Sequence, residues 1–224
     1  VRDKFIADEE KLLRDRDIRF GYDDEEFIQE IKVLDNKDLK IVNDYIDTLD
    51  FATNTVFNTN GTVREDTSIR SSTGTAMNEN DVATKLLHEK INTALIKYKN
   101  RLFNYDLVLD CYPVVGATGT SSYREEIQVL EYTEDQKYNW HYDACPDPKS
   151  EFYHRQISIV LYLKDDFEGG ATKFKMIPHY EYRPKAGYGL FFPSNWCFTH
   201  CSTPLESGKK RVAVTWYYCI DNLA

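Results

Sequence analysis

Ile157-Ser158-Ile159-Val160-Leu161-Tyr162-Leu163 is apolar at almost every position and rich in β-branched side chains. A strand with one wet face alternates polar and apolar residues; a nearly unbroken apolar run is what a strand covered on both sides requires. After this run, Asp165-Asp166-Phe167-Glu168-Gly169-Gly170 reads as a turn whose glycines can take positive φ. Gly187-Tyr188-Gly189-Leu190-Phe191-Phe192-Pro193 reads as a second buried strand, closed by proline. Before it, Gln128 to Tyr132 alternates, which places Gln128, Leu130 and Tyr132 on one face. Lys210-Arg211-Val212-Ala213-Val214-Thr215-Trp216-Tyr217-Tyr218, read as a strand, puts Lys210 on the face of Val212, Val214 and Trp216. Short strands without internal repeats or a βαβ rhythm predict a mainly β sandwich or barrel.

Helices flank this region on its N-terminal side. Ile31 to Leu34 reads as a short strand. Asp35 or Asn36 can then cap a helix carrying Leu39, Val42, Ile46 and Leu49 at three-to-four spacing. Residues 52–80, rich in Asn, Thr, Ser and Gly, read as loops with short strands around Thr67 to Ser72. Asn80 or Asp81 then caps a second helix with Val82, Leu86, Leu87, Ile91, Leu95 and Ile96 on its inner stripe. Both helices are expected to brace one side of a sheet. Leu107-Val108-Leu109 continues the strand pattern, and Val114 to Ser122, small and polar, reads as a loop closing over the site. Residues 1–26 are dense in charge and read as a solvated extension, leaving 27–224 as one domain.

Composition narrows the function. With 28 Lys and Arg against 37 Asp and Glu, the formal charge is −9, which argues against nucleic acid or an anionic membrane as the main partner. No apolar run approaches the ~20 residues that span a bilayer, and no signal-peptide pattern opens the chain. The five cysteines, Cys111, Cys145, Cys197, Cys201 and Cys219, contain no Cys-x-x-Cys pair. Reduced thiols in a cytoplasmic setting are the expectation.

The chemistry is concentrated at His141-Tyr142-Asp143. In a strand, positions i and i+2 share a face, so an imidazole and a carboxylate converge. A second imidazole at His200 completes a 2-His-1-carboxylate set suited to Fe(II) with open positions. The tripeptide alone also fits a strand-end histidine bonded to an aspartate, and Cys197-x2-His200-Cys201 leaves a zinc reading open. Lys210 adds weight, because a cation facing an apolar interior is costly unless an anion meets it. No partner for it is evident in the motif, so the carboxylate of a ligand is the natural candidate. A register in which Lys210 flares outward and Arg211 turns in stays open at this point.

His-x-Asp, a distal His and a basic residue ten positions later make the chain resemble the Fe(II)/2-oxoglutarate dioxygenases, and within them the prolyl 4-hydroxylases. The likeness runs through Gln128 to Asp143, Arg155 to Phe174 with its Gly169-Gly170-Ala171-Thr172, Gly187 to Pro193, and His200 to Trp216, and spans roughly residues 31–220. It implies a double-stranded β-helix, a jelly roll braced by the N-terminal helices. It also implies iron held by His141, Asp143 and His200, and 2-oxoglutarate bound by Lys210 with Tyr132 and Tyr162. Dioxygen would be a second co-substrate and ascorbate an accessory reductant. A proline-containing peptide is the implied substrate, with Arg155, Trp216 and Tyr138 beside it and Tyr138, Trp140, Tyr142, Phe152 and Tyr153 as an aromatic edge. Other readings stay open: Tyr132 and Tyr162 as plain core, Arg155 as a surface residue, and a free amino acid or metabolite as substrate. A non-catalytic jelly-roll binding module is the reading from another class; Lys210 facing the metal site is what separates it from an oxygenase.

Overall fold

The computed structural model describes residues 27–57, 63–102 and 125–218. Its strands are β1 (Gln29–Lys32), β2 (Ala52–Thr53), β3 (Val56–Phe57), β4 (Val63–Arg64), β5 (Thr73–Ala76), β6 (Gln128–Tyr132) and β7 (Tyr138–His141). They continue with β8 (Arg155–Tyr162), β9 (Phe167–Gly169), β10 (Thr172–Phe174), β11 (Tyr188–Pro193), β12 (His200–Ser202), β13 (Leu205–Gly208) and β14 (Lys210–Tyr218). Among the described residues two helices precede β6: α1 (Asn36–Ile46) and α2 (Val82–Leu102). The larger sheet has the order β1-β11-β8-β14-β6-β5-β2, and the smaller sheets are β10-β12-β7, β13-β9 and β3-β4. Every strand pair is antiparallel.

Strand β8 shows why its sequence lacks alternation. Ile157, Ile159 and Leu161 pack with Val42 and Ile46 of α1 and Leu87, Ile91 and Leu95 of α2. Tyr162, from the opposite face, joins Tyr132, Phe174, Phe192, Val212 and Trp216, with Val160 packed against them. One layer of core thus lies between sheet and helices, the other between the large sheet and the small ones. Mainly antiparallel β-sheet with two helices on one side is the expected architecture, and β14 divides as its alternation predicts: Ala213 and Tyr217 to the helices, Val212, Val214 and Trp216 to the inner cavity.

The helix starts follow their caps. Asp35 Oδ1 accepts from the Asp38 backbone N–H at 2.8 Å, and Asp81 Oδ1 from that of Ala83 at 2.7 Å. The inner stripe of α2 differs from the expectation. Val82 is 76% exposed and Ile96 43%, while Ala83, Leu87, Ile91, Ala94, Leu95 and Tyr98 are buried. Each mistaken residue sits about 100° around the helix from a buried neighbour, and the sheet accepts only one stripe. Leu49 follows the end of α1, and the strand sought around Thr67 to Ser72 begins at Thr73. The segment 165–170 is only partly turn, since Phe167–Gly169 forms β9; Gly169 and Gly170 take φ of 73° and 58°. The charged extension 1–26, Leu107–Leu109 and the loop Val114–Ser122 lie outside the described residues.

Arg211 faces the helices, away from the cavity. It is 3% exposed and bonds Glu131 on β6 and Asn43 and Asp47 at the end of α1, at 2.7, 2.9 and 2.7 Å. Lys209 reaches the other oxygen of Glu131 at 2.5 Å. The alternative register, with Arg211 inward at the cavity and Lys210 flared, is therefore excluded.

Candidate active site

β7 and β12 are neighbours in the small sheet, and their register sets His141 opposite His200. Asp143 lies just past the end of β7. The backbone N–H groups of Asp143 and Ala144 both donate to the Ser194 carbonyl, at 3.1 and 3.0 Å, which anchors the chain where it leaves the strand. The three side chains bring their donor atoms within 4.8 Å of one another, and they form the one such cluster among the described residues. His141 Nε2 is 3.6 Å from Asp143 Oδ1, and His200 Nε2 is 3.8 Å from Oδ2.

The surroundings prepare these groups for a metal. His141 Nδ1 sits 2.7 Å from the Asn139 carbonyl and His200 Nδ1 3.1 Å from that of Phe198. A carbonyl only accepts, so each Nδ1 carries a proton, and Nε2 is the ring nitrogen that faces Asp143 and can take a metal. Burial, reinforced by the facing His200, pushes His141 down to about 3 and keeps it neutral. Burial alone would raise Asp143, but the two imidazoles and the Ser158 hydroxyl, which donates at 2.6 Å, hold it below the usual carboxylate range. Neutral imidazoles and an ionised carboxylate are the forms that bind a cation. Two nitrogens and a carboxylate in this arrangement fit Fe(II). Cys201 is buried, Cys197 is exposed, and neither belongs to the cluster, so the zinc reading is not supported among the described residues.

Lys210, at the start of β14, is 2% exposed and lines the same cavity as the triad. Its Nζ donates to the Gly170 carbonyl at 2.6 Å and to Ser202 Oγ at 2.9 Å, and lies 5.2 and 5.1 Å from the ring centroids of Tyr132 and Tyr162. None of the described carboxylates pairs with it. Burial without a counter-ion pushes its pKa down to about 7. Gly170 must be glycine here, because at φ 58° a Cβ would lie 2.8 Å from Leu205 Cδ1 and 3.2 Å from Lys210 Cδ. Tyr162 shares a 2.7 Å hydrogen bond with Thr172.

The cavity of about 1060 Å³ also receives Tyr138, Tyr142, Phe152, Arg155 and Trp216. Tyr138 stacks on His141 at 3.6 Å between centroids, and burial pushes its pKa up to about 12. Arg155 is no surface arginine. Its guanidinium lies 3.7 Å from the Trp216 ring centroid and 4.1 Å from that of Phe152, donates twice to Glu125 at 2.5 and 2.6 Å, and reaches the Asp143 carbonyl at 3.2 Å. Trp140 and Tyr153, expected on the aromatic edge, are 46% and 44% exposed and do not line the cavity. Trp140 neighbours His141 in β7, so alternation turns it to the opposite face. Sequence reasoning missed Ser158, Glu125, Ser202, Thr172 and Arg70, whose guanidinium lies 4.9 Å over Tyr138. Of these only Ser158 had a legible signal, its shared strand face with Tyr162.

Two facing antiparallel sheets, with a 2-His-1-carboxylate set and an unpaired buried lysine in one cavity, define a metal-dependent jelly roll of the double-stranded β-helix kind. Residues 127–218 match the 2OG-Fe(II) oxygenase superfamily. The chain is 34% identical over 108 residues to a putative prolyl 4-hydroxylase of Acanthamoeba polyphaga mimivirus, covering 42% of this chain and 44% of that one. It is 33% identical over 120 residues to a probable prolyl 4-hydroxylase 9 of Arabidopsis thaliana, covering 42% and 41%. The matched region thus spans less than half the length of these curated relatives. Among solved structures, a viral collagen prolyl hydroxylase from Paramecium Bursaria Chlorella virus-1 superposes with a TM-score of 0.57 at 22% identity, covering 89% of this chain and 100% of that one. A Pseudomonas putida prolyl-4-hydroxylase does so with 0.58 at 13%, covering 87% and 94%. These likenesses establish the fold.

Proposed function

We propose that this chain is a dioxygenase that hydroxylates proline within a peptide or protein, with Fe(II), 2-oxoglutarate and O2, and with ascorbate as accessory reductant. The observation that carries the reading is Lys210: a buried ammonium without a carboxylate, in one cavity with three side chains prepared for a metal. A ligand carrying a carboxylate at one end and metal-binding oxygens at the other satisfies both.

His141 and His200 hold the metal through Nε2 and Asp143 through its carboxylate, with Ser158 and the two backbone carbonyls fixing their directions. Lys210 spends two N–H groups on Gly170 and Ser202 and keeps its third for the distal carboxylate. Tyr132 lines the cavity beside it, whereas Tyr162, expected there too, is fully buried, does not line the cavity and shares its hydroxyl with Thr172, which does. Leu130, Val160, Val212 and Val214 keep water out of that end. When bound, iron with its co-substrates supplies the oxidising chemistry: 2-oxoglutarate loses CO2 and takes one oxygen atom to become succinate, and the other becomes the hydroxyl on the substrate carbon.

The peptide substrate is supported by the resemblance to prolyl 4-hydroxylases and by the rest of the cavity. Its volume is at the top of the ~300–1,000 Å³ typical of small-molecule sites, which leaves room for a chain segment beyond the co-substrate. Tyr138, Tyr142, Phe152 and Trp216 offer flat walls to a polyproline II strand, with Arg155 held between two of them. Incubation with Fe(II), 2-oxoglutarate, ascorbate and proline-rich peptides tests the proposal. Succinate and one added oxygen on proline are expected. Succinate with unmodified peptides moves the substrate to a free amino acid or small metabolite, and no succinate with any substrate refutes the oxygenase reading.

A further inference from the structure

Two of the three metal-binding side chains are placed by the sheet itself, and the third is not. His141 and His200 stand opposite each other in the β7–β12 pair, whereas Asp143 lies beyond the end of β7, where the ladder has stopped. Ser194 takes over there. It follows the last residue of β11, and its backbone N–H donates to the Gln156 carbonyl of β8 at 2.9 Å. Its carbonyl receives the N–H groups of Asp143 and Ala144. The β11–β8 register sets Phe192 opposite Ser158, so Ser194, two residues on, is the diagonal neighbour of Ser158 on the same face. The two serine hydroxyls are 2.8 Å apart, and that of Ser158 is 2.6 Å from Asp143 Oδ2. Both serines are buried. Arg155 also reaches Asp143, but at the backbone carbonyl and not at the carboxylate.

The order of the protons follows from the acceptor at the end of this row. A metal-binding carboxylate is ionised and only accepts, so the Ser158 proton goes to Oδ2. A hydroxyl has one proton, and Ser158 has spent it. The contact between the serines therefore takes its proton from Ser194, and the bonds run from Ser194 to Ser158 to Asp143. Ser158 Oγ is thus pinned between a donor and an acceptor, which fixes its rotamer. Each hydroxyl that accepts a hydrogen bond is polarised and donates more strongly in turn.

We propose that Ser194 is a positioning residue for the metal: its hydroxyl, acting through Ser158, holds the Asp143 carboxylate in the direction that meets the two imidazoles, while its carbonyl holds the backbone beneath. Outer partners of this kind orient a ligand before the metal arrives. The inference rests on the reading of Asp143 as a metal ligand.

Mn(II) binding to the full chain, measured by calorimetry without co-substrate, tests it with a readout independent of turnover. Ser194→Ala keeps the backbone contacts and removes only the hydroxyl. It is expected to weaken Mn(II) binding about three- to tenfold, the net worth of one hydrogen bond. Ser194→Cys fills the same space with a poor donor, is expected to lose as much, and keeps the test available should Ser194→Ala fail to fold. Ser158→Ala removes the direct partner of the carboxylate and should cost more. The double variant is expected to bind no more weakly than Ser158→Ala alone, because the Ser194 hydroxyl acts only through Ser158. Urea unfolding with EDTA present reads any loss of stability separately. Parent-like Mn(II) affinity in Ser194→Ala and Ser194→Cys, whatever their stability, marks a purely structural serine and overturns the inference, as do additive losses in the double variant. Parent-like Mn(II) affinity in Asp143→Ala instead overturns the assignment beneath it.

Discussion

Replacing Lys210 with methionine should make the ligand-free protein more stable while removing its co-substrate site. Lys210 is 2% exposed and meets only a carbonyl, a hydroxyl and two ring faces, which lowers its pKa from an ordinary 10.5 to about 7. That difference corresponds to roughly 5 kcal/mol of destabilisation when the lysine is charged. Because the folded value lies below the unfolded one, the unfolded chain holds the extra proton between about pH 7 and 10.5. Stability from this group therefore rises with pH across that window, and its penalty is complete below about pH 7. From about pH 6 to pH 9 some 2–3 kcal/mol of the penalty should be relieved. Methionine fills similar apolar space without charge, but strands the Gly170 carbonyl and the Ser202 hydroxyl at about 1–3 kcal/mol in all. The variant should then exceed the parent by about 2–4 kcal/mol near pH 6, with the advantage nearly gone near pH 9. Urea unfolding of both proteins with EDTA present, across this pH range, measures the difference; the remaining titrating groups are common to both and cancel. A pH-independent difference, or a less stable variant at pH 6, would refute the picture of an uncompensated buried cation.

His141→Ala, Asp143→Ala and His200→Ala should each abolish turnover with the fold largely intact, and circular dichroism beside a Mn(II)-binding assay separates the two effects. Ser158→Ala, which removes the hydroxyl on Asp143 Oδ2, should lower metal affinity about 10–100-fold without changing the ligand set. Lys210→Ala should weaken 2-oxoglutarate binding by about 2–5 kcal/mol in calorimetry, with Lys210→Arg restoring part of it. Glu131→Ala leaves Arg211 buried with only Asn43 and the partly exposed Asp47, and should cost on the order of 3–5 kcal/mol in denaturant unfolding without altering 2-oxoglutarate affinity.

What the sequence determined by itself was everything that depends on neighbours along the chain. Alternation in Lys210 to Tyr218 separated Lys210 from Arg211 because a strand's faces repeat every second residue, and the structure keeps that division. The unbroken apolar run at 157–163 required cover on both sides, and Asp35 and Asp81 marked helix starts because capping is local. The three metal-binding side chains were legible as types at a spacing. Their convergence was not: it depends on β7 and β12 pairing His141 with His200, a register set by cross-strand packing between distant segments. Val82 and Ile96 show the same limit, since hydropathy places apolar residues on a helix but not the edge of the sheet that receives them. The groups that prepare the site come together only when sheets close on one another: Ser158 on Asp143, Glu125 on Arg155, Ser202 and Gly170 on Lys210. A lone serine, glutamate or glycine carries no periodic signal. Its role is decided by burial, which makes each unpaired polar atom costly and so selects a partner that chain order does not reveal.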